Sequence, residues 1–126
     1  MRIRRIMRAW VAAGVLLTLG MAQAPTQPAP RVVRVRAERF SFTPSEIEVK
    51  TGETIELRLK SDDTGHGFRI ADTEIDVVIP KRGQGEISVL FTGGKPARHE
   101  FECSHMCGAG HSFMRGVIVV KDGGSR

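Results

Sequence analysis

The 126-residue chain has no tyrosine, a single tryptophan and only two cysteines, and aromatic residues make up 6% of it. So thin an aromatic complement offers no stacking platform for nucleic-acid bases. Two cysteines allow at most one disulfide, too few for a disulfide framework to replace a hydrophobic core. Helical periodicity is missing outside the N-terminal segment. A Ser/His/Asp arrangement, a glycine-rich phosphate loop and an internal repeat are missing as well, so the chain shows no signature of a hydrolase or a nucleotide-binding enzyme.

An excess of positive charge is also missing once the N-terminus is set aside. The formal charge of +5 includes Arg2, Arg4, Arg5 and Arg8, and beyond them fifteen basic residues face fourteen acidic ones, a net of +1. A basic composition would otherwise suggest nucleic acid. Here the excess belongs to a targeting signal, and no nucleic-acid partner is expected.

That signal is the basic stretch Met1 to Arg8 followed by the apolar run Ala9 to Met21, which together read as a secretory signal peptide. As a helix the apolar run would span about 20 Å, short of the roughly 30 Å hydrocarbon core, which favours cleavage over a retained anchor. Cleavage is expected after Ala22, giving a signal segment 1–22, or alternatively after Ala24. Residues 23–30 form a Pro-rich tether, residues 31–122 the folded domain and residues 123–126 a short tail. The expected location is the periplasm or the outer face of the cytoplasmic membrane, with membrane contact only through a partner or an uncleaved leader.

What is present beyond the tether is period-two alternation of apolar and polar residues, broken by Gly, Pro, Asp and Ser. It is clearest over Thr54 to Lys60, where Ile55, Leu57 and Leu59 share one face. Similar runs cover Val32 to Arg36, Ile47 to Lys50, Phe68 to Ile70, Glu74 to Ile79, Glu86 to Phe91, His99 to Cys103 and Gly116 to Lys121. Seven or eight short strands in one domain predict an all-β, antiparallel sandwich. Phe40, Phe42, Phe68, Phe91 and Phe101 are expected in its core.

Both cysteines fall in one stretch, Cys103-Ser104-His105-Met106-Cys107-Gly108-Ala109-Gly110-His111-Ser112-Phe113-Met114. Two thiols, two imidazoles and thioethers so close together make a soft-metal site, and copper suits that donor set best. Zinc would accept the cysteine pair but has little use for Met114. A mononuclear blue-copper site needs one Cys, two His and an axial Met and leaves the second thiolate idle. A disulfide between Cys103 and Cys107 would leave the neighbouring His and Met residues unexplained. Met106 is read as packing or rim, His99 as a strand residue, Phe113 as a cover for the site, and Asp62 and Asp63 as solvated or capping groups.

The pattern Cys-x-x-x-Cys-Gly-x-Gly-His-x-x-Met, with Asp62-Asp63-Thr64-Gly65-His66-Gly67-Phe68 upstream of it, resembles the binuclear copper-A domain of cytochrome c oxidase subunit II, which nitrous-oxide reductase shares. The resemblance covers about Arg36 to Lys121 and implies a cupredoxin-like Greek-key sandwich. It implies two copper ions bridged by Cys103 and Cys107, with His66 and Met114 completing one metal and His111 and the backbone carbonyl of His105 the other. It also implies single-electron transfer from a redox protein such as cytochrome c to a haem–copper oxidase subunit I or another reductase, with no catalytic centre in this domain. A copper chaperone delivering metal to an oxidase is the alternative. The chain departs from oxidase subunits in carrying His105 where they usually carry Glu.

Overall fold

Strand formation here follows from side chains alternating between an apolar interior and water. The computed structural model describes residues 22–124, so the expected signal segment, Trp10 included, lies outside the described residues apart from Ala22. Residues 22–30 are exposed and without regular secondary structure. Nine strands follow: β1 (Arg31–Glu38), β2 (Ser41–Thr43), β3 (Glu46–Lys50), β4 (Thr54–Ser61), β5 (His66–Ile70), β6 (Asp76–Ile79), β7 (Ile87–Thr92), β8 (Ala97–Glu102) and β9 (Arg115–Lys121). The one helical element among the described residues is a single 3-10 turn, His111–Phe113. No helix among them is long and apolar enough to cross a membrane.

The strands form two sheets, ordered β2-β1-β4-β7 and β3-β9-β8-β5-β6. The all-β sandwich is as expected, but it is not purely antiparallel. β1 runs parallel to β4, with Val35 opposite Leu59, and β3 runs parallel to β9, with Ile47 opposite Ile118. Alternation reports which face of a strand is buried and carries nothing about the direction of its neighbour, so these two pairings were invisible in the sequence. The short β2 was missed because three residues are too few for a period to register.

Between the sheets lie Val35, Ala37, Ile55, Leu57 and Leu59 from one side and Ile47, Val49, Phe68, Ile70, Phe101, Ile118 and Val120 from the other. Phe42, Phe68 and Phe101 form an aromatic trio with ring centroids 5.1–5.6 Å apart, stacked edge-on or tilted as ring quadrupoles favour. β5 is exceptional in being buried on both faces at His66, Gly67 and Phe68. Its inner face meets the core. Its outer face is covered by the Cys103–Met114 loop that joins β8 to β9.

The far end of the sandwich is tied by Glu53, whose carboxylate accepts Arg31 Nε–H at 2.7 Å and the Lys50 backbone N–H at 2.8 Å. The Arg31 hydrogen bond, and after it the Lys50 N–H, hold this carboxyl below its ordinary value of 4.5. A carboxyl lowered on folding contributes stability that is complete above its unfolded value and disappears as pH falls through the lowered one. The stability difference between the native chain and Glu53→Gln is therefore expected to be full at neutral pH and to close on acidification below about 4.5. Urea titrations across that range measure it, and a pH-independent difference would contradict the assignment.

Candidate metal centre

The loop between β8 and β9 is closed at its base by the Cys103 N–H donating to the Met114 carbonyl at 3.1 Å. Inside it, Cys103 and Cys107 turn inward, each only 4% exposed, with Met114 fully buried. The two sulfurs stand 3.5 Å apart, well beyond the roughly 2.05 Å of a disulfide, and both thiols are free. Cys107 Sγ lies 3.8 Å from His111 Nδ1 and 3.9 Å from Met114 Sδ, while Cys103 Sγ lies 3.0 Å from the His105 carbonyl oxygen. The 3-10 turn brings His111 back over Cys107.

The sixth position comes from the sheet. His66 opens β5, is fully buried, and presents a ring nitrogen within 4.8 Å of both sulfurs. Its Nε2 is engaged by Asp63 Oδ1 at 2.6 Å, and its Nδ1 is buried without any hydrogen-bond partner. A buried, unpaired ring nitrogen costs free energy unless something fills the place beside it. Asp63 accepts the Nε2 proton and leaves Nδ1 with a free lone pair, the arrangement by which carboxylates orient metal-binding imidazoles. Asp63 also receives the backbone N–H groups of Thr64 and Arg39, at 2.7 and 2.8 Å. Burial works against its ionisation, but the hydrogen bonds from His66, Arg39 and Thr64 outweigh that and hold its carboxyl low.

The six positions singled out in the sequence thus lie together at one end of the sandwich, with His66, Cys103, Cys107 and Met114 buried, His111 partly exposed and the His105 side chain exposed. Thiols, imidazole nitrogens, a thioether and a carbonyl form a soft and borderline donor set that fits copper. Burial, reinforced by the adjacent Cys103 sulfur, pushes the Cys107 thiol up to about 11. A cation among these donors would reverse that tendency.

The cupredoxin-like domain profile matches residues 9–120. Two cytochrome c oxidase subunit 2 sequences of Thermus thermophilus are each 40% identical over 105 residues, which is 80% of this chain and 75% and 60% of theirs. The chain belongs to the cupredoxin-like family, alongside cytochrome c oxidase subunit II. A nitrous-oxide reductase of Ralstonia nicotianae is 31% identical over 71% of this chain and 14% of its own length. Among solved structures, the periplasmic domain of subunit II of cytochrome oxidase from Bradyrhizobium japonicum shares the fold with a TM-score of 0.67, at 17% identity over 77% of this chain and 88% of that one.

Within this cupredoxin-like sandwich Met106, 73% exposed, is on the rim of the loop, and Phe113, expected as a cover, is itself 83% exposed. Phe40 is not in the core. It lies at the β1–β2 turn with its ring against Gly108 and Gly110, at whose positions a Cβ would strike it, and Gly108 also has a left-handed φ of 143°. Gly67 is needed for a similar reason, since a Cβ there would collide with Ser104 and the His105 backbone nitrogen. Its N–H points at Cys103 Sγ, 3.4 Å away. His99 stays a strand residue, edge-on to Phe91 at 5.4 Å.

Sequence reasoning read Asp63 as a capping group. It does cap, yet it also fixes His66, and the three-residue spacing between them was the signal. Asp62 only pairs with Arg36, at 2.5 Å. The contribution of Arg39, whose Nε–H donates to the Cys107 carbonyl at 2.8 Å from 68 positions away, had no local signal. In the metal-free protein at neutral pH, nitrogen-15 NMR is expected to find His66 as the Nε2–H tautomer and Asp63→Ala to populate both tautomers. An Nδ1–H tautomer in the native chain would contradict the Asp63 assignment.

Proposed function

We propose that this chain is an electron-transfer protein holding two copper ions in one centre, with Cys103 and Cys107 as shared thiolate ligands. His66 and Met114 would hold one ion together with the thiolates, and His111 and the His105 carbonyl the other. The observation that carries this reading is the pair of free thiols 3.5 Å apart with an imidazole and a thioether beside Cys107, a carbonyl beside Cys103, and the buried His66 ring, with Nδ1 unpaired and a ring nitrogen within 4.8 Å of both sulfurs. A single copper would leave one thiolate without purpose. When bound, a copper pair in this place would supply one-electron redox chemistry with little bond rearrangement.

The protein supplies rigidity and dryness. His66 is fixed by a strand and by Asp63, the cysteines by the loop base and the β5 backbone, and Met114 by complete burial. Side chains locked in this way do not relax when the charge changes, and exclusion of water removes the largest source of solvent reorganisation. The partners that fit are a redox protein such as cytochrome c as donor, and a haem–copper oxidase subunit I or another reductase as acceptor. The working location is outside the cytoplasm, in the periplasm or on the outer face of the membrane. A copper chaperone needs exposed ligands that release metal readily, whereas these thiols are almost completely buried.

Electron paramagnetic resonance with copper quantitation on the copper-loaded chain tests the reading. The expected result is a seven-line hyperfine pattern with about two coppers per chain. A four-line pattern with one copper, or only a silent Cu(I) form, would move the assignment to a mononuclear carrier or a chaperone. Cys107→Ser is expected to abolish the coupled signal while leaving the sandwich folded, as judged by circular dichroism. His105→Ala is expected to keep most copper binding, because the ligand it supplies is a main-chain carbonyl. Complete loss of copper in that variant would overturn its assignment.

A further inference from the structure

The two segments that carry the donors are not joined by regular structure where they meet. His66 stands at the start of β5, and Cys107 sits in the middle of the loop between β8 and β9. A third segment, the β1–β2 turn, reaches both. Arg39 donates its backbone N–H to Asp63 Oδ2 at 2.8 Å, and the other oxygen of that carboxylate holds His66 Nε2 at 2.6 Å. The Arg39 side chain then extends over the loop and donates Nε–H to the Cys107 carbonyl at 2.8 Å. One unbroken series of hydrogen bonds therefore runs from the His66 ring through Asp63 and Arg39 to the main chain of Cys107. Next to it the Phe40 ring packs against Gly108 and Gly110, at whose positions a Cβ would meet it.

From this geometry we infer that Arg39 is a positioning residue for the metal centre, tying the Cys107 main chain to the Asp63–His66 pair and so setting the spacing between the two donor-bearing segments. An arginine suits this task. Its planar guanidinium makes a directed hydrogen bond from a long stem, whereas a lysine ammonium is a compact, strongly hydrated charge without a fixed donor direction. The Cys107 carbonyl is part of a loop fastened at its base, so a hydrogen bond in the middle of the loop restrains the segment that would otherwise open most easily. In its consequence for copper the inference rests on the function proposed above. In its consequence for the loop it does not.

The experiment compares the full-length native chain with Arg39→Met and Arg39→Lys in two forms. In the metal-free, reduced form, alkylation of the two thiols by iodoacetamide is expected to be about tenfold faster in Arg39→Met, the effect of losing one loop hydrogen bond, with the urea transition still cooperative and its midpoint lowered by no more than that one bond accounts for. Arg39→Lys, which keeps the charge but not the directed bond, is expected to fail to restore the native rate. In the copper-loaded form, chelator-driven loss of metal is expected to be about 10–100-fold faster in both variants, with an altered copper hyperfine pattern. Native alkylation rates and native copper retention in Arg39→Met would overturn the inference. So would full rescue by Arg39→Lys, which would reduce the role to charge alone. If Arg39→Met does not fold, Arg39→Lys decides between the same outcomes. If the native chain takes up no copper pair, the proposed function fails, and the alkylation rates still decide the role of Arg39.

Discussion

Two sulfurs 3.5 Å apart and away from water impose the constraint on which the rest of this structure depends. Burial disfavours ionisation of the Cys107 thiol, and as thiolates the two would repel each other strongly in a medium that screens charge poorly. Such a pair persists only if the surrounding chain enforces it. The Gly67 N–H on Cys103, the Cys103–Met114 bond at the loop base, the Ser104–Asp76 hydrogen bond at 2.6 Å and the Arg39 bond to Cys107 each restrain the loop from a different direction. The glycines of the motif belong to the same requirement. Gly67 lets the loop backbone lie directly on β5, and Gly108 and Gly110 let Phe40 lie on the loop.

The sandwich exists, from the site's point of view, to hold three distant segments at one end. β5 lies between β8 and β6, pairing with β8 through Arg69 and Ile70 and with β6 from His66 onward, so the ligand at its first residue is held in the ladder opposite Ile79. β8 and β9 pair in register from Ala97–Val120 to Glu102–Arg115, which fixes the two ends of the cysteine loop side by side. The Phe42, Phe68 and Phe101 trio lies beneath, filling the core with rings that leave little room for adjustment. A dense core under a restrained loop is what a site that must not relax requires.

How much of this could be read in the sequence depends on the range of the interaction concerned. The alternation of Ile55, Leu57 and Leu59 announced β4 and its buried face, because burial in a strand is a local periodic property. The cluster from Cys103 to Met114 announced its own chemistry, because four side-chain donors lie within twelve residues. His66 could be attached to it only through resemblance, since nothing near Gly65 or Gly67 records that the cysteine loop lies above. The parallel pairings of β1 with β4 and β3 with β9, the descent of Phe40 onto Gly110 and the reach of Arg39 were not legible. Each is a contact between residues far apart in the chain, and its cause lies in the partner and not in the residue.

That same separation has a consequence for the order in which the molecule assembles. The site needs β1 with its turn, β5, and the loop leading into the last strand, whose partner β3 joins it only after the whole chain is available, with Ile47 opposite Ile118. Contacts of such long sequence separation form late and slowly. Until they form, two cysteines four residues apart travel on an unprotected segment, free to meet an oxidant or each other. A chain of this design therefore has an interval between synthesis and completion in which its fold does not yet shield the two thiols.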